Sequence, residues 1–227
     1  MERYFSISYC STIKSKTEHF KLHSHDGYEF FLFIKGDSRY IVEGNSYHLS
    51  PLDAIVIRRR EMHRILHNSD TYYERVVINI EPEFFIQNGC TEYETIFTNH
   101  VFEGNNKISA KDIKESGLYD SILSIKKYSE NGCSPNKPVV RAAIIEFLYI
   151  LNNIKSFANS DSPGNQIRNI ISYINEHYAE NISLDSLAAQ FFISKYHLCR
   201  IFKKETGHTV HNYINQKRLN AVRDLCR

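Results

Sequence analysis

The 227-residue sequence contains no tryptophan, no closely spaced cysteine pair and no long apolar run. Its five cysteines form no CxxC motif, which excludes an obvious disulfide framework or zinc knuckle and favours a reducing compartment. No stretch approaches the roughly 18 apolar residues of a membrane span. Residues 1–16 lack the basic and then apolar pattern of a secretory signal. We therefore expect a cytoplasmic protein with no membrane partner.

Charge is distributed unevenly along the chain, although the net charge is only +2. Residues 1–105 contain 11 Lys and Arg against 15 Asp and Glu, whereas residues 165–227 contain nine against five. A polyanionic partner would therefore meet the carboxy-terminal part. Hydrophobic residues make up 42% of the chain, which is enough for a sizeable core.

Residues 1–105 carry the pattern of a small β domain. Short runs rich in aromatic and β-branched residues alternate with turns marked by Gly, Pro, Asn and Asp, which is typical of a sandwich or small barrel. The predicted strands are Tyr28–Ile34, Arg39–Val42, Tyr47–Leu49, Ala54–Ile57 and Tyr72–Ile80.

Residues 106–156 change to a helical period. Aliphatic residues between 118 and 125 predict one helix, and residues 139–154 predict a second that is apolar nearly all round. Such a helix must be covered on more than one side, either by its own barrel or by the second subunit of a homodimer. A polar stretch at 157–166 is the predicted linker to residues 167–227.

The last part of the chain predicts three consecutive helices. An amphipathic helix occupies residues 167–178, and Ser183 can cap a second helix. Ser194 can cap a third helix, which ends before Gly207, a residue suited to a left-handed carboxy-terminal cap. Two short helices joined by a tight turn outline a helix-turn-helix.

The third helix has two distinct faces. The stripe expected to pack inward consists of Leu198, Ile201, Phe202 and Glu205, and the stripe expected to face solvent consists of Tyr196, Cys199, Arg200 and Lys203. A helix fits the DNA major groove, where Arg200 could pair with guanine while Lys203 and Lys204 meet phosphates. The alternative interpretation of the same basic stripe is an ordinary solvated helix face.

Three pieces of this segment form a recognisable pattern. They are ISLDSLA, the S-x-x-x-L-x-R-x-F-K-K-x-x-G string from Ser194 to Gly207, and Tyr213-Ile214 with Arg218-Leu219. Together they resemble the first helix-turn-helix and connecting helix of the AraC/XylS family of bacterial transcription regulators. The resemblance implies DNA binding, with the third helix facing base edges. The DNA-binding set is Ser194, Lys195, Tyr196, Cys199, Arg200, Lys203 and Lys204.

The sequence departs from this family in three places. Family members usually carry a polar residue where Cys199 stands, and often glycine where Phe192 stands. A bulky residue in a left-handed conformation costs roughly 1–2 kcal/mol, so we expect this turn to differ in shape. The family also has two helix-turn-helices, whereas this sequence ends at Arg227 inside the would-be connecting helix. With a single helix-turn-helix, we expect weak and mostly nonspecific DNA binding.

A second motif lies near the amino terminus. His23, His25 and Glu29 match the first cupin motif, and these three side chains could bind a first-row metal. The second cupin motif is degraded, because Val56 stands where a ligand histidine would be and His63 lies seven residues later. We therefore expect no metal and no other cofactor, and interpret these side chains as the polar lining of an effector pocket. A three-ligand metal site is the alternative.

Three consecutive arginines follow the fourth predicted strand. If the strand continued, Arg58 and Arg60 would share one face and Arg59 the other. Two guanidinium groups pointing into the barrel would favour an anionic effector, such as a carboxylate or phosphate. Pointing outward, they would be surface charge or an interface to the DNA-binding domain.

We therefore expect an α+β chain, with a cupin-like β-barrel at 1–105, accompanying helices at 106–156 and an all-α helix-turn-helix domain at 167–227. It would be a non-enzymatic, homodimeric transcription regulator that binds DNA and a small-molecule effector. The effector-binding set is His23, His25, Glu29, Arg58, Arg60 and His63. The rival hypotheses are a metal-dependent cupin enzyme, which would contain near-stoichiometric metal, and a dimerisation partner of a full-length regulator, which would form mixed oligomers.

Overall fold

The computed structural model describes residues 4–14, 22–98, 106–130, 138–154, 166–206 and 208–225. The amino-terminal part is built from β-strands. Their bounds are β1 Phe5–Lys14, β2 Tyr28–Lys35, β3 Ser38–Val42, β4 Asn45–His48, β5 Ala54–Ile57, β6 His63–His67, β7 Thr71–Ile80 and β8 Lys107–Ile108.

The strands form two antiparallel sheets. The larger sheet has the order β1-β7-β2-β5-β8 and the smaller one has the order β4-β3-β6. An isolated bridge between His23 and His63 extends the smaller sheet by one pairing. Within the larger sheet, Glu29 lies opposite Ile57 on β5 and opposite Asn79 on β7. This register brings polar residues of β2 and β7 to the same face of the sheet.

The central strand β2 is buried on both faces, which explains its nearly continuous apolar sequence. Phe31 and Phe33 point between the two sheets and pack with residues of the smaller sheet. Phe30 and Leu32 point to the opposite face and pack against the accompanying helices. Alternation along the strand therefore separates two cores, one inside the sandwich and one outside it.

Five helices within the described residues accompany the sandwich, and together with β1–β8 they form what we call the sandwich domain. They are α1 Pro82–Gln87, α2 Thr95–Thr98, α3 Ala110–Glu115, α4 Leu118–Glu130 and α5 Pro138–Asn152, with a single 3₁₀ turn at Thr91–Glu94 before α2. The aliphatic stripe of α4 is buried, as predicted. The face of α5 around Phe147 packs on the sheet, with the Phe147 ring 5.0 Å from that of Phe30.

The expectation of a fully covered α5 holds for one side of this helix. The chain's own sheet buries Ile144, Phe147 and Leu148, which agrees with the first of the two covers considered from the sequence. Val139 and Tyr149 remain 41% and 55% exposed. A partner subunit is therefore not needed to bury the main apolar stripe.

In the carboxy-terminal part, which we call the helical domain, the residues that the structure describes form four helices. They are α6 Gln166–His177, α7 Leu184–Gln190, α8 Lys195–Thr206 and α9 Val210–Leu225. Their buried aliphatic and aromatic side chains form one hydrophobic cluster. Leu22 and Met62 of the sandwich domain belong to this same cluster, so the two domains share part of a core.

The predicted α+β architecture is confirmed. Strands β1, β6 and β8 were not predicted, and β8 extends the sandwich to Ile108, beyond the expected transition at residue 105. The predicted linker at 157–166 falls outside the described residues except for Gln166, which begins α6. The expected left-handed cap at Gly207 also lies outside them. Among the described helices, none combines the length and apolar character required to cross a bilayer.

Candidate nucleic-acid interface and ligand pocket

The helix-turn-helix is formed by α7, a tight turn and α8. The Ser183 hydroxyl accepts a hydrogen bond from the Ser186 backbone N–H, and the Ser186 hydroxyl accepts one from the Ser183 backbone N–H, which caps α7 as predicted. The Ser194 hydroxyl accepts from the His197 N–H at 3.2 Å and caps α8. Between them, Phe192 has a φ of +54°. The expectation that a bulky residue would change this turn is wrong, because Phe192 adopts the left-handed conformation itself.

Burial separates the two faces of α8 as the sequence predicts. Leu198 and Phe202 are completely buried in the cluster of the helical domain. Tyr196 is 79% exposed, and Arg200 and Lys203 are also exposed. The outward face of α8 is therefore open to a large partner.

The remaining predicted DNA-binding residues lie around the same face. Lys195 forms a 2.7 Å ion pair with Asp185, and both side chains are more than half exposed, so this pair adds little stability. Cys199 is exposed between Tyr196 and the basic residues. Lys204 is exposed at the side chain, while its backbone carbonyl accepts from the Arg64 guanidinium of the sandwich domain. The side chain of Glu205, predicted to point inward, lies outside the described part.

A pocket of about 260 Å³ opens between the two sheets of the sandwich domain. It is lined by residues of β1, β2, β3, β6 and β7 together with the segment that precedes β2. The lining residues are Ser8, His23, His25, Glu29, Phe31, Tyr40, Ile65, Arg75, Val77 and Asn79. Polar and aromatic groups on an apolar base are typical of small-molecule sites.

Glu29 is the polar centre of this pocket and is only 6% exposed. His25 Nε2 lies 3.1 Å from Glu29 Oε2, and the Tyr40 hydroxyl donates to Glu29 Oε1 at 3.1 Å. Burial raises the pKa of Glu29, but its contacts with His25, His63 and Tyr40 outweigh burial and lower that pKa below its usual value. For His25, burial lowers the pKa, yet the Glu29 carboxylate outweighs it and the pKa is raised. Each group therefore stabilises the charged form of the other.

His63 completes the cluster from the smaller sheet. Its Nε2 lies 3.9 Å from Glu29 Oε2, and its ring centre lies 5.0 Å from that of His25. Burial lowers the pKa of His63 to about 4, so the ring is neutral at physiological pH. His23 is exposed at the mouth of the pocket, with its ring centre 4.3 Å from that of His63. The structure thus brings His63 together with His23, His25 and Glu29, the three residues that match the first cupin motif.

The structure corrects the expected position of the arginines, which do not line this pocket. The β5 strand ends at Ile57 and the chain then turns, so the strand alternation used to place the arginines does not apply. Arg58 lies beside Glu61, with 3.8 Å between Nε and Oε1. Arg60 has a φ of +63° and donates to Asp26 and to the Asn220 carbonyl of α9. Arg60 therefore lies at the interface with the helical domain, the alternative considered from the sequence.

The pocket does contain an arginine that sequence reasoning missed. Arg75 is partly buried on β7, and its guanidinium forms no hydrogen bond with the described part of the chain. Arg75 lies opposite Phe33 and two residues before Val77, both of which point between the sheets. Because side chains alternate along a strand, Arg75 lies on the same face of β7 as the inward-facing Val77. A polar residue at such a position is a sequence signal that identifies a pocket residue. The same alternation places Asn79 in the pocket.

A second site missed by sequence reasoning joins the two domains. Glu43, in the turn between β3 and β4, accepts hydrogen bonds from Tyr213 at 2.5 Å, Lys217 at 2.6 Å and Asn175 at 3.0 Å. It also accepts from the Met62 backbone N–H at 2.6 Å. We call Glu43, Asn175, Tyr213 and Lys217 the interdomain cluster. Glu43 is in the sandwich domain and its three side-chain partners are in the helical domain. Its hydrogen bonds therefore stabilise the contact between the two domains.

Burial raises the pKa of Glu43, but Lys217 and the four hydrogen bonds outweigh burial and hold that pKa below its usual value. Among the described residues, Arg58 and Glu61 also interact electrostatically with the Glu43 carboxylate. Glu43 is therefore ionised at neutral pH. Its backbone is held at a φ of +46°, a conformation that favours glycine, so tertiary contacts stabilise an otherwise unfavourable turn.

Comparison with known families agrees with this arrangement. Residues 174–215 match the profile of the bacterial regulatory helix-turn-helix proteins of the AraC family. Residues 7–95 match the profile of the AraC-like ligand binding domain. The first match covers α7, α8 and the start of α9, and the second contains the pocket described above.

Individual relatives match most of the chain at low identity. The HTH-type transcriptional regulator YbfI of Bacillus subtilis is 21% identical over 212 residues, covering 93% of this chain and 75% of YbfI. The HTH-type transcriptional activator RhaS of Escherichia coli is 19% identical over 208 residues, covering 92% of this chain and 74% of RhaS. Among solved structures, ToxT from Vibrio cholerae is 15% identical with a TM-score of 0.43, covering 98% of this chain and 83% of ToxT.

Proposed function

The chain belongs to the AraC family of bacterial transcription regulators, with a helix-turn-helix domain and an AraC-like ligand-binding domain, and from this premise we propose a function for each of its two domains. Helix α8 reads DNA, and the pocket around Glu29 binds a small anionic effector. Binding of that effector shifts the equilibrium between arrangements of the two domains. The protein acts in the cytoplasm, where DNA is accessible, and has no enzymatic activity.

The exposed face of α8 is the observation that carries the DNA-binding role. Leu198 and Phe202 anchor the helix in its domain core, so Arg200 and Lys203 project from a rigid support. Arg200 is suited to bidentate contact with guanine, and Lys203 to phosphate contact. The contacts from the sandwich domain reach the carboxy-terminal end of α8 at the Lys204 carbonyl. The sandwich domain therefore leaves the reading face uncovered.

Selection from a pool of randomised duplexes tests this proposal. Arg200→Ala should lose the preference for one base pair, with discrimination there falling about 10-fold or more. Lys203→Ala should keep the base preference, weaken binding on all duplexes and reduce the slope of log affinity against log salt by about one. Lys111→Ala, an exposed lysine on α3, is the matched control and should bind as the parent does. Selected sequences and salt slopes that do not differ between the Arg200→Ala protein and its parent would contradict the proposal.

An anionic effector is supported by the charge inside the pocket. Arg75 presents a cationic guanidinium to the cavity beside the His25 ring, whereas Glu29 uses both carboxylate oxygens on protein partners. A carboxylate or phosphate on the effector would form a charge-assisted pair with the guanidinium of Arg75. Phe31 and Val77 supply the apolar base against which a small carbon skeleton would pack.

A thermal-shift screen of organic acids, sugar phosphates and neutral sugars tests the effector class. An acid that binds only the native protein raises its stability by RT ln(1 + [L]/Kd), and Arg75→Gln should remove that shift. Arg39→Gln is the matched control, because Arg39 is on β3 in the phase opposite to the inward-facing Tyr40 and should leave the shift unchanged. A screen in which only neutral sugars raise the melting temperature would contradict an anionic effector.

Two chain segments lie beside both the pocket and the core of the helical domain, and they support coupling between the two. His23 lines the pocket and His63 lies 3.9 Å from Glu29 at its centre, and their chain neighbours Leu22 and Met62 are buried in the cluster of the helical domain. His208 of the helical domain also hydrogen-bonds the Leu22 carbonyl at 3.0 Å. A ligand that moves either histidine therefore acts on the domain contact directly, and its effect equals its difference in affinity for the two arrangements.

Homodimerisation through the region 106–156 remains part of the proposal. The outer side of α5 supports it, because Val139 and Tyr149 are exposed apolar groups on an otherwise packed helix. Sedimentation of the parent and of a Tyr149→Asp variant tests it. A dimer that dissociates on this substitution supports the assignment, whereas a monomeric parent overturns it.

A further inference from the structure

We propose that Phe192, in the turn between α7 and α8, packs against the 5-methyl groups of thymine bases in the DNA major groove. This contact rests on the proposed function, because it requires α8 to lie in that groove. It adds an apolar contact to the charged contacts proposed for Arg200 and Lys203. The preferred duplex therefore contains A·T pairs beside the bases that α8 reads.

Phe192 projects from a turn that is anchored on both sides. Its chain neighbours, Phe191 and Ile193, pack against the hydrophobic cluster of the helical domain, and the Phe191 ring lies 5.9 Å from that of Tyr173. The Phe192 side chain, in contrast, is 95% exposed, the largest value among the large apolar residues of the described chain. Because its neighbours hold the turn, the Phe192 ring is presented from a fixed backbone position.

The backbone of Phe192 is held in a conformation that disfavours a large side chain. Its φ is +54°, and the backbone N–H groups of Phe192 and Ile193 donate to the Ala189 and Ala188 carbonyls at 3.2 Å and 3.0 Å. Glycine would adopt this left-handed conformation at lower cost. Packing of the ring within the chain does not offset that cost, since the ring is almost fully exposed.

Two other residues with positive φ show how such strain can be offset. Glu43 has a φ of +46° and Arg60 a φ of +63°, and both use their side chains in hydrogen bonds between the two domains. Strained backbone conformations cluster at functional contacts of this kind. By the same reasoning, we expect the Phe192 ring to form its contact with a molecule outside the chain.

The surroundings of Phe192 favour DNA over a protein as that molecule. Phe192 lies two residues before Ser194, which caps the end of α8 that approaches base edges. Lys195 and Lys203 are exposed on the same helix, and lysine is depleted in protein interfaces but meets DNA phosphates. The major groove presents one apolar group, the 5-methyl group of thymine, and phenylalanine is among the side chains that contact it.

The test compares two short duplexes made only of A·T pairs in the same mixed order. The first contains thymine and the second contains deoxyuridine at every thymine position, so the duplexes differ only in the methyl groups. Binding of the full chain is measured by fluorescence anisotropy at low salt, where phosphate contacts support binding without a specific sequence. The parent should bind the thymine duplex about 4-fold more tightly, the effect of burying one methyl group.

Substitutions at Phe192 separate the methyl contact from other effects. Phe192→Gly should lose most of the thymine preference, whereas Phe192→Leu, which keeps an apolar side chain, should retain it. Any effect of the methyl groups on DNA shape is the same for every variant, so it cancels when the preferences are compared. Ile86→Ala, which removes a 70% exposed apolar side chain from α1, is the matched control and should leave the preference unchanged.

Loss of folding would not explain the expected result for Phe192→Gly. This variant should melt at a higher temperature than the parent, because the strain at a φ of +54° is relieved. A residue that only stabilised the turn would change stability and DNA affinity in the same direction, whereas a methyl contact changes them in opposite directions.

The outcomes distinguish this contact from the proposed function. An equal thymine preference in Phe192→Gly and the parent, or equal binding of both duplexes by the parent, would overturn the methyl contact and leave DNA binding by α8 intact. A parent that binds neither duplex would refute DNA binding by α8 as well. Because the duplexes contain no guanine, the result does not depend on the base contact proposed for Arg200.

Discussion

Replacing Glu43 by glutamine should loosen the contact between the two domains without changing side-chain shape. The Glu43 carboxylate accepts from three side chains of the helical domain and from one backbone N–H of its own domain. A glutamine amide offers one acceptor oxygen and turns a donor towards groups that are themselves donors. The Lys217 ammonium would lose its counter-charge at a position where it is only 16% exposed.

The magnitude follows from the charge and burial of this cluster. A hydrogen bond to a charged group contributes about 1.5–3 kcal/mol, and removing one partner of a buried ion pair costs about 3–5 kcal/mol. The side chains of Glu43 and Lys217 retain 15% and 16% exposure, which favours the lower end. We therefore expect a loss of about 3 kcal/mol, equivalent to roughly 100-fold in the ratio of docked to separated domains.

Hydrogen exchange followed by mass spectrometry measures this ratio locally. Amides of α9 and of the turn between β3 and β4 should exchange up to roughly 100-fold faster in Glu43→Gln, while amides of β2 should not change. Glu176→Gln, the same charge change at an exposed position on α6, is the control. If α9 and the turn exchange at the parental rate, the interdomain cluster does not hold the domains together and the reasoning is refuted.

Two further predictions concern Phe192 and Phe147, and a third concerns the pH dependence of the Glu43 contact. Phe192→Gly should raise stability by up to about 1 kcal/mol in urea denaturation, because relief of left-handed strain exceeds the entropy cost of glycine, whereas Phe192→Ala should not. Phe147→Ala should cost about 3–5 kcal/mol in the same assay, against little for Ile86→Ala, which removes an exposed side chain of α1. Because the folded-state pKa of Glu43 is lowered, its contribution is complete above its usual value of 4.5 and is lost as pH falls through the folded-state pKa. Protection factors of α9 amides, which correct for the slower intrinsic exchange at low pH, should therefore fall on acidification in the parent, and parental protection factors as independent of pH as those of Glu43→Gln would contradict this.

The helical domain was predictable from sequence because local signals and burial agree there. Ser183 and Ser194 cap α7 and α8 as expected, and the buried and exposed stripes of α8 follow the helical period. In the sandwich domain, the alternation of apolar and polar residues along a strand is less informative about which side chains face inward. Strand β2 is buried on both faces, so its sequence does not reveal which residues face the pocket.

The binding site was only partly predictable for the same physical reason. His25 and Glu29 were found from their spacing, and His63 from its residue type, but Arg75 depends on the register of β7 against β2. Arg58 and Arg60 were assigned by extending a strand that ends at Ile57. Strand ends and sheet registers are set by tertiary contacts, and a single sequence contains little information about them.

The bridge between His23 and His63 has a consequence for how this protein could evolve. The two histidines exchange backbone hydrogen bonds at 2.9 Å and 3.1 Å, and each is directly preceded in the chain by a residue that is buried in the core of the helical domain. Substitutions that reshape ligand preference at these two positions would simultaneously alter domain affinity. Descendants that recognise new ligands should therefore have changed elsewhere around the cavity, on β1 and β7, where substitutions can alter ligand specificity without altering the contact between the two domains.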